Sequence, residues 1–151
     1  MSDRDTILDL IYRYAELIDS GDFEGLGDLL ARAGFGGPGT PTVTGARNIA
    51  ALFGMTTKRF DDDGTPKTRH LVLNPIVEVD GDTAAARSTF CVVQATDAIA
   101  LQPIVVGRYF DQFAREPGGD WYFTERIAAV EMVGDVSDHL LIDPHTFGRN
   151  A

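Results

Sequence analysis

The sequence predicts an α+β fold in which three N-terminal helices lie against one face of a curved antiparallel β-sheet and enclose a cone-shaped cavity. In the first 60 residues apolar side chains recur at helical spacing, whereas from about residue 69 they alternate with polar ones at a period of two. Helices followed by consecutive antiparallel strands form the α+β pattern. Because a bent sheet covered by helices leaves an apolar hollow, this fold also predicts a ligand cavity.

The helical part of the chain divides into three predicted helices. The first ends at Gly21, with Asp3 or Asp5 as its N-cap. Its apolar stripe consists of Ile7, Ile11, Tyr14 and Ile18. A second helix, over 22–31, contains two glycines, which lower its helix propensity. A third helix is predicted over 46–60, where an acidic turn follows.

The sheet is predicted from four segments with alternating patterning. These segments are residues 69–79, 83–95, 101–114 and 121–133. Two connections between them, Asp80-Gly81-Asp82 and residues 116–120, have the composition of hairpin turns. Residues 33–45 are rich in Gly, Pro and Thr, so they predict a loop or a short edge strand ahead of the main sheet.

Length, charge and cysteine content restrict the class of protein. The 151 residues suffice for a single domain over 1–151, and the tail over 134–151, with few apolar anchors, is expected to be partly mobile. A net charge of −10 disfavours binding to nucleic acid or to anionic membranes. The single cysteine, Cys91, excludes an internal disulfide and is predicted to be buried. Without an apolar signal or membrane-spanning stretch, a cytoplasmic protein is expected.

Two side chains near the end of the first helix are candidates for chemistry. If the fold brings Asp19 to His70, about 50 positions along the chain, they form a carboxylate–imidazole dyad suited to moving a proton. The alternative for Asp19 is a turn-forming role, which its Asp-Ser-Gly-Asp context also favours. Tyr14 lies about 140° around the helix from Asp19, so spacing favours a core aromatic unless the cavity wraps around the helix tip.

His70 begins the first predicted strand. Strand alternation places His70, Val72, Asn74 and Ile76 on one face, and this mixture of apolar and polar groups is typical of a binding cavity. A lone histidine can equally be a structural residue with satisfied hydrogen bonds. Pro75 indicates an edge or a bulge, so the register beyond it stays open.

Two arginines lie on predicted strands with apolar surroundings. A guanidinium such as that of Arg126 must be paired or must contact an anion when the rest of its strand face is apolar. Glu125 and Glu131 are expected on the opposite face, so neither is an obvious partner. Arg108 raises the same question, and for both arginines the alternative is a cross-strand ion pair on a solvated face.

The remaining predicted substrate-binding residues come from several elements. The complete predicted set is Asn74, Val72, Phe53, Phe90 and Arg108. No Cys/His cluster has zinc spacing, no glycine-rich phosphate loop follows a strand, and the acidic run at 61–63 lacks the spacing of a calcium loop. Neither a metal nor a cofactor is therefore predicted.

Four stretches together carry a resemblance that spans the chain from the first helix to about Leu140. They are Tyr14–Leu26, Thr68–Asn74, Gly107–Asp111 and Gly119–Arg126. In their order and spacing the chain resembles the SnoaL-like branch of the nuclear transport factor 2-like superfamily. This resemblance implies a barrel-like α+β cone that forms a homodimer, or a larger homo-oligomer, through the outer face of the sheet.

Within that superfamily the chain looks most like a lyase group that contains scytalone dehydratase, hexachlorocyclohexane dehydrochlorinase and bile-acid dehydratase. The resemblance implies that Asp19 and His70 are the catalytic dyad. It places Tyr14 on a tyrosine of the bile-acid enzyme and Arg126 on an arginine of the dehydrochlorinase. Scytalone dehydratase carries a second histidine on a central strand, whereas the strand predicted over 83–95 has none. The other two histidines, His139 and His145, fall in the predicted tail.

The resulting expectation is a cofactor-independent lyase or isomerase that acts on a small, largely apolar, cyclic molecule of a polyketide-like or steroid-like kind. His70 would act as general base, Asp19 would orient it, and Tyr14 and Arg126 would polarise a leaving group or an enolate oxygen. The alternative is a non-catalytic module of the same fold that binds a small molecule or mediates dimerisation.

Overall fold

A computed structural model describes residues 1–143 of the chain. Its elements in chain order are α1 (Asp3–Asp19), α2 (Phe23–Leu29), β1 (Gly34–Gly36), β2 (Val43–Thr44), α3 (Ala46–Thr56), β3 (Thr68–Asp80), β4 (Thr83–Gln94), β5 (Gln102–Ala114) and β6 (Tyr122–Val133). The strands form one sheet in the order β2-β1-β6-β5-β4-β3, in which only β1 and β6 pair in parallel. The predicted α+β fold with a curved sheet and three N-terminal helices is confirmed. The sheet stays open rather than closing into a complete barrel.

The second helix, α2, is shorter at both ends than the predicted 22–31, and two further helix boundaries differ from the prediction. Ser2, not Asp3 or Asp5, caps α1, because its hydroxyl accepts a hydrogen bond of 3.1 Å from the backbone N–H of Asp5. The third helix ends at Thr56 rather than at residue 60. The chain becomes extended at the next residue, which forms an isolated β-bridge with a residue far along the sequence.

The core lies between the helices and the concave face of the sheet. Its fully buried apolar residues include Ile7, Ile11, Leu26, Ile49, Phe113 and Phe123. One face of α1 and the inward-facing residues of β4 to β6 supply most of this surface. Burial of each such side chain stabilises the fold by about 1.5–3 kcal/mol relative to its exposure.

A bulge in β3 changes which residues of the strand point toward the core, so part of the predicted strand face is wrong. The pairing with β4 shifts register between Leu73 and Ile76, and Asn74 adopts a left-handed conformation with φ of 54°. The bulge includes Pro75, which has no N–H to donate to a neighbouring strand. As a result Ile76 lies on the exposed side, and Val77 packs against the core instead.

The convex face of the sheet is exposed and partly apolar in the described chain. Its exposed large side chains include Leu71, Leu73, Ile76 and Phe110. Cys91 is half-buried on this face, opposite Leu71 in the sheet register, rather than fully buried as predicted. This is the surface through which the resemblance implies a dimer, and that dimer stays a prediction.

The segment after β6 returns to the helical layer. Residue Gly134 donates a hydrogen bond of 2.7 Å to the carbonyl of Ile104, and Leu140 pairs with Thr57. The expected mobility of the tail stays a prediction, and its residues 144–151, with His145, lie outside the described part. None of the helices within residues 1–143 is long and apolar enough to cross a membrane.

Candidate active site

Asp19 and His70 are in direct contact at the junction of α1 and β3. The distance from His70 Nδ1 to Asp19 Oδ1 is 2.6 Å, and the backbone N–H of His70 donates to Asp19 Oδ2 at 2.8 Å. The Thr68 hydroxyl donates a third hydrogen bond to the same carboxylate, also at 2.8 Å. The Asp19 and His70 side chains are 11% and 6% exposed. Three donors therefore hold one nearly buried carboxylate in a single orientation.

This contact decides which ring nitrogen of His70 is free. A carboxylate accepts hydrogen bonds, so in the neutral imidazole Nδ1 carries the proton and Nε2 keeps its lone pair. The ring of His70 lines an internal cavity, whereas Asp19 does not. Because Nδ1 is engaged by Asp19, Nε2 is the ring nitrogen left to accept a proton from a molecule in the cavity.

A tight turn after α1 places the Asp19 carboxylate against β3. Gly21 has φ of +76°, and a Cβ atom at this position would lie 2.2 Å from the carbonyl oxygen of Gly64. Only glycine fits both the conformation and the close approach. The Gly21 carbonyl also accepts a hydrogen bond from Arg59 at 3.2 Å. The turn is thus tied to the chain that leads into β3.

The cavity itself is small and mainly apolar, with a volume of about 100 Å³. Its walls include Tyr14, Ile18, Phe35, Phe53, Phe90 and Val92. The backbone of Gly36 and Gly37 forms another part of the wall, so the predicted loop over 33–45 closes one side of the cavity. The polar groups that reach it come mainly from tyrosine, threonine and histidine side chains.

Tyr14 lies on the cavity wall, although it points about 140° away from Asp19 around α1. The two positions are compatible because Asp19 does not line the cavity itself, whereas its partner His70 does. Burial raises the pKa of Tyr14 to about 12, against the opposing effect of the Arg126 guanidinium. The phenol is therefore protonated near neutral pH.

Arg126 is paired within the core and does not line the cavity. Its side chain is 0% exposed, and its Nε donates to Asp111 Oδ1 at 3.0 Å across the β5–β6 register. The guanidinium carbon lies 4.1 Å from the Tyr14 ring centroid and 3.5 Å from that of Tyr109. Burial raises the pKa of Asp111 to about 6 despite the attraction of Arg126. Tyr14 and Tyr109 line the cavity, whereas neither member of this ion pair does.

The predicted substrate-binding residues divide into two groups. Phe53 and Phe90 line the cavity, and Val72 is half-buried on the same face of the sheet without lining it. Asn74 is exposed at the β3 bulge, which removes it from that face. Arg108 lies on the convex face, where it pairs with Glu131 at 2.9 Å. Neither Asn74 nor Arg108 lines the cavity, and Arg108 forms the solvated cross-strand pair that was its alternative.

A residue outside the predicted set, His139, completes the cavity. It follows β6, is 5% exposed, and its ring centroid lies 6.5 Å from that of His70. Its Nδ1 atom is buried without a hydrogen-bond partner in the described chain. The sequence did not predict this position, because the segment that contains His139 has few apolar residues. The apolar run at 140–142 was the one available signal that this segment packs against the body of the protein.

The environment of His139 predicts a contribution to acid sensitivity. Burial, and secondarily the neighbouring His70, lowers the pKa of His139 from 6.5 to about 4, whereas Asp19 opposes the shift. The unfolded chain therefore binds a proton on this ring before the native protein does, so stability falls as the pH drops from 6.5 to 4. The lowered pKa of His139 corresponds to a loss of about 3 kcal/mol in the free energy of unfolding at pH 4 and below. Urea unfolding at pH 7 and pH 4.5 should show a smaller loss for His139→Gln than for wild type, and equal losses would contradict the assignment.

Among residues 1–143, no group of three or more His, Cys, Asp or Glu side chains is placed so that it could hold a metal ion. The dyad supplies one carboxylate and one imidazole only, and their close contact is with each other. What this arrangement can do chemically is accept a proton at Nε2 and hold the resulting imidazolium beside a carboxylate.

The fold and the buried dyad at the end of an apolar cone define a small α+β domain of the SnoaL type. The SnoaL-like domain family model matches residues 1–127. The chain belongs to this family, within the nuclear transport factor 2-like superfamily.

Solved structures agree with this membership. An NTF2-like protein with a cystatin-like fold from Novosphingobium aromaticivorans is 30% identical, with a TM-score of 0.69, over 90% of this chain and 86% of the other. A Mycobacterium tuberculosis protein of unknown function is 26% identical, with a TM-score of 0.69, over 90% and 75%. A Novosphingobium aromaticivorans protein provisionally named a scytalone dehydratase is 20% identical, with a TM-score of 0.67, over 88% and 87%, and shows the fold alone. No protein of curated function matches the sequence.

Proposed function

We propose that this protein is a cofactor-independent lyase or isomerase that removes a proton from carbon in a small, largely apolar, cyclic ligand. The observation that carries the proposal is the 2.6 Å contact between Asp19 and His70 Nδ1, which leaves Nε2 free beside an apolar cavity. The His70 and Asp19 side chains are both nearly buried, so water reaches this base less easily than it would reach one at the surface.

His70 acts as the general base and Asp19 as the residue that orients it. Nε2 accepts the proton, and the carboxylate stabilises the imidazolium that forms, as in other His–Asp pairs. Proton transfer by a positioned side chain contributes about 10²–10⁴-fold to a rate. Thr68 and the backbone N–H of His70 keep the carboxylate in place, so Asp19 does not rotate away when the imidazole becomes charged.

The cavity volume narrows the ligand class. A cavity of about 150 Å³ holds benzene in an engineered protein, and the cavity here is about 100 Å³. The cavity is therefore smaller than one that holds a single ring, so a one-ring ligand needs a small movement of the walls and a steroid-like ligand needs a much larger one. Tyr14, a protonated phenol, contributes a hydrogen-bond donor to an oxygen on that ring. Arg126 supports the two tyrosine rings from behind and acts as a positioning residue.

The proton removed defines the reaction. When the carbon lies next to a carbonyl, the C–H electron pair moves into a C–C double bond and the carbonyl oxygen becomes an enolate oxygen. A hydroxyl on the following carbon then leaves as water once it is protonated, which is a dehydration. When the ring also carries a C–C double bond next to the carbon that loses its proton, the enolate extends over that bond, and return of the proton to the far end of it is an isomerisation. Both outcomes share the first step, and that step needs only the base and a donor to the oxygen.

Solvent deuterium exchange tests the proposal. Cyclohexanone has one ring and one oxygen, and NMR in D2O follows the replacement of the protons next to its carbonyl. We expect wild-type protein to accelerate this exchange and to dehydrate 3-hydroxycyclohexanone. A rise in unfolding temperature with cyclohexanone, together with exchange no faster than in buffer, would favour the non-catalytic binding module instead.

A further inference from the structure

The cavity contains a second histidine that the proposed dyad does not use. His139 lies beside His70 on the cavity wall, with the two ring planes inclined at 62° and the centroids 6.5 Å apart. A ligand whose carbon lies at His70 Nε2 can therefore carry an oxygen on the next atom that contacts the His139 ring. His139 also comes from the other end of the chain, so its approach to the site depends on the packing of the segment after β6.

That segment is held in place on both sides of the histidine. The backbone N–H of His139 donates to Val136, and its carbonyl accepts from Lys58 at 2.8 Å. The preceding side chain, Asp138, contacts Lys58 Nζ at 2.5 Å and accepts a hydrogen bond of 2.7 Å from Thr96. Lys58 therefore holds the His139 backbone through its own N–H and the adjacent Asp138 side chain through its ammonium group. The position of the ring is thus well determined.

The His139 ring has hydrogen-bonding capacity that the protein leaves unused. Nδ1 is buried and has no partner in the described residues, and an unpaired buried polar atom is costly. Because Nδ1 has no accessible surface, the ring nitrogen that a ligand in the cavity can reach is Nε2. Burial keeps the ring neutral near pH 7. A neutral imidazole has one N–H donor and one acceptor nitrogen. It can therefore donate a hydrogen bond to a ligand oxygen without bringing a second positive charge next to the imidazolium of His70.

We propose that His139 contacts the ligand and donates its imidazole N–H to the oxygen whose charge grows when His70 removes the neighbouring proton. This proposal rests on the proposed function. It adds His139 as a residue that binds the ligand oxygen. The C–H bond breaks toward His70 Nε2, its electron pair enters the new C–C double bond, and the carbonyl pair moves to the oxygen that His139 and Tyr14 stabilise. The ligand class is then a one-ring ketone or a related β-hydroxy ketone.

Two ligands of matched shape test the contact independently of catalysis. Methylenecyclohexane has the shape of cyclohexanone but carries a CH2 group where the ketone has oxygen. Wild-type protein should bind the ketone more tightly than the hydrocarbon, and His139→Phe should lower that preference by about 3–10-fold, the value of one hydrogen bond. His139→Gln, which keeps an N–H donor, should restore part of it. A packing role alone would change the affinity for both ligands equally.

The exchange reaction gives the second readout. His139→Phe should slow cyclohexanone exchange by about 10²–10³-fold at saturating ligand, as loss of one donor to a developing oxyanion does, and His139→Gln should be intermediate. Thermal unfolding confirms that each variant is folded. If wild-type protein catalyses no exchange, the proposed function fails, and the ketone preference alone then decides the role of His139. A wild type without that preference, or a folded His139→Phe variant that keeps both preference and rate, overturns the proposal.

Discussion

Replacing Asp19 by asparagine is expected to lower the rate of cyclohexanone exchange by about 10²–10⁴-fold while the protein stays folded. The amide keeps the shape of the carboxylate but cannot stabilise an imidazolium. Its NH2 group can also donate to Nδ1, which would favour the tautomer with the proton on Nε2 and so block the base. The rate is measured by NMR in D2O at saturating ketone, and unfolding in urea confirms that the variant is folded.

Glu16→Gln provides the matched control for this substitution. Glu16 is exposed on the same helix, and its change to an amide alters the net charge by the same amount. The control variant should exchange cyclohexanone at the wild-type rate. If Asp19→Asn and Glu16→Gln both retain that rate, Asp19 is a turn-forming residue and the dyad does not act in catalysis.

Replacing Asp111 by asparagine is expected to cost about 3–5 kcal/mol of folding free energy, the largest stability effect predicted for this protein. The Arg126 guanidinium is fully buried and cannot lose its proton, so without Asp111 it becomes an unpaired charge in the core. Urea unfolding measures the change. Glu131→Gln is the control, because its partner Arg108 is exposed and such a pair is worth about 0–1 kcal/mol.

Removing the other member of the pair, by Arg126→Met, should reduce the free energy of unfolding less at acidic than at alkaline pH. The carboxyl of Asp111 already has its pKa raised to about 6 by burial, and loss of the arginine removes the group that lowers it. A carboxyl whose native pKa exceeds its unfolded value contributes less stability as the pH rises through that range. Arg126→Met should therefore lose stability between pH 5 and pH 8 relative to wild type, and a pH-independent difference would contradict a buried, unpaired Asp111.

The secondary structure was largely predictable because it follows from local periodicity. The four long strands have nearly the predicted bounds, since alternation of apolar residues and glycine-containing turns act over a few positions. The end of α3 was not predictable in this way. It depends on the bridge between Thr57 and Leu140, which are 83 positions apart, and no pattern within the helix indicates that contact.

The site was predictable only in part, for reasons of the same kind. Spacing alone could not join Asp19 to His70, and it was the family resemblance that paired them; the 2.6 Å contact then gives the pair its geometry. The bulge at Asn74 moved that residue off the cavity face, although Pro75 had indicated that the register was open. The partner of Arg126 does not follow from the pattern of its own strand, because Asp111 lies directly across on β5.

The most direct test of the proposed dyad is the rate of cyclohexanone exchange in D2O with His70→Ala, compared with wild type at saturating ketone. If His70 Nε2 is the base, the variant should bind the ketone and remain folded, yet exchange its protons no faster than buffer does. A folded His70→Ala variant that exchanges cyclohexanone at the wild-type rate would contradict the assignment of Asp19 and His70 as the proton-transferring pair.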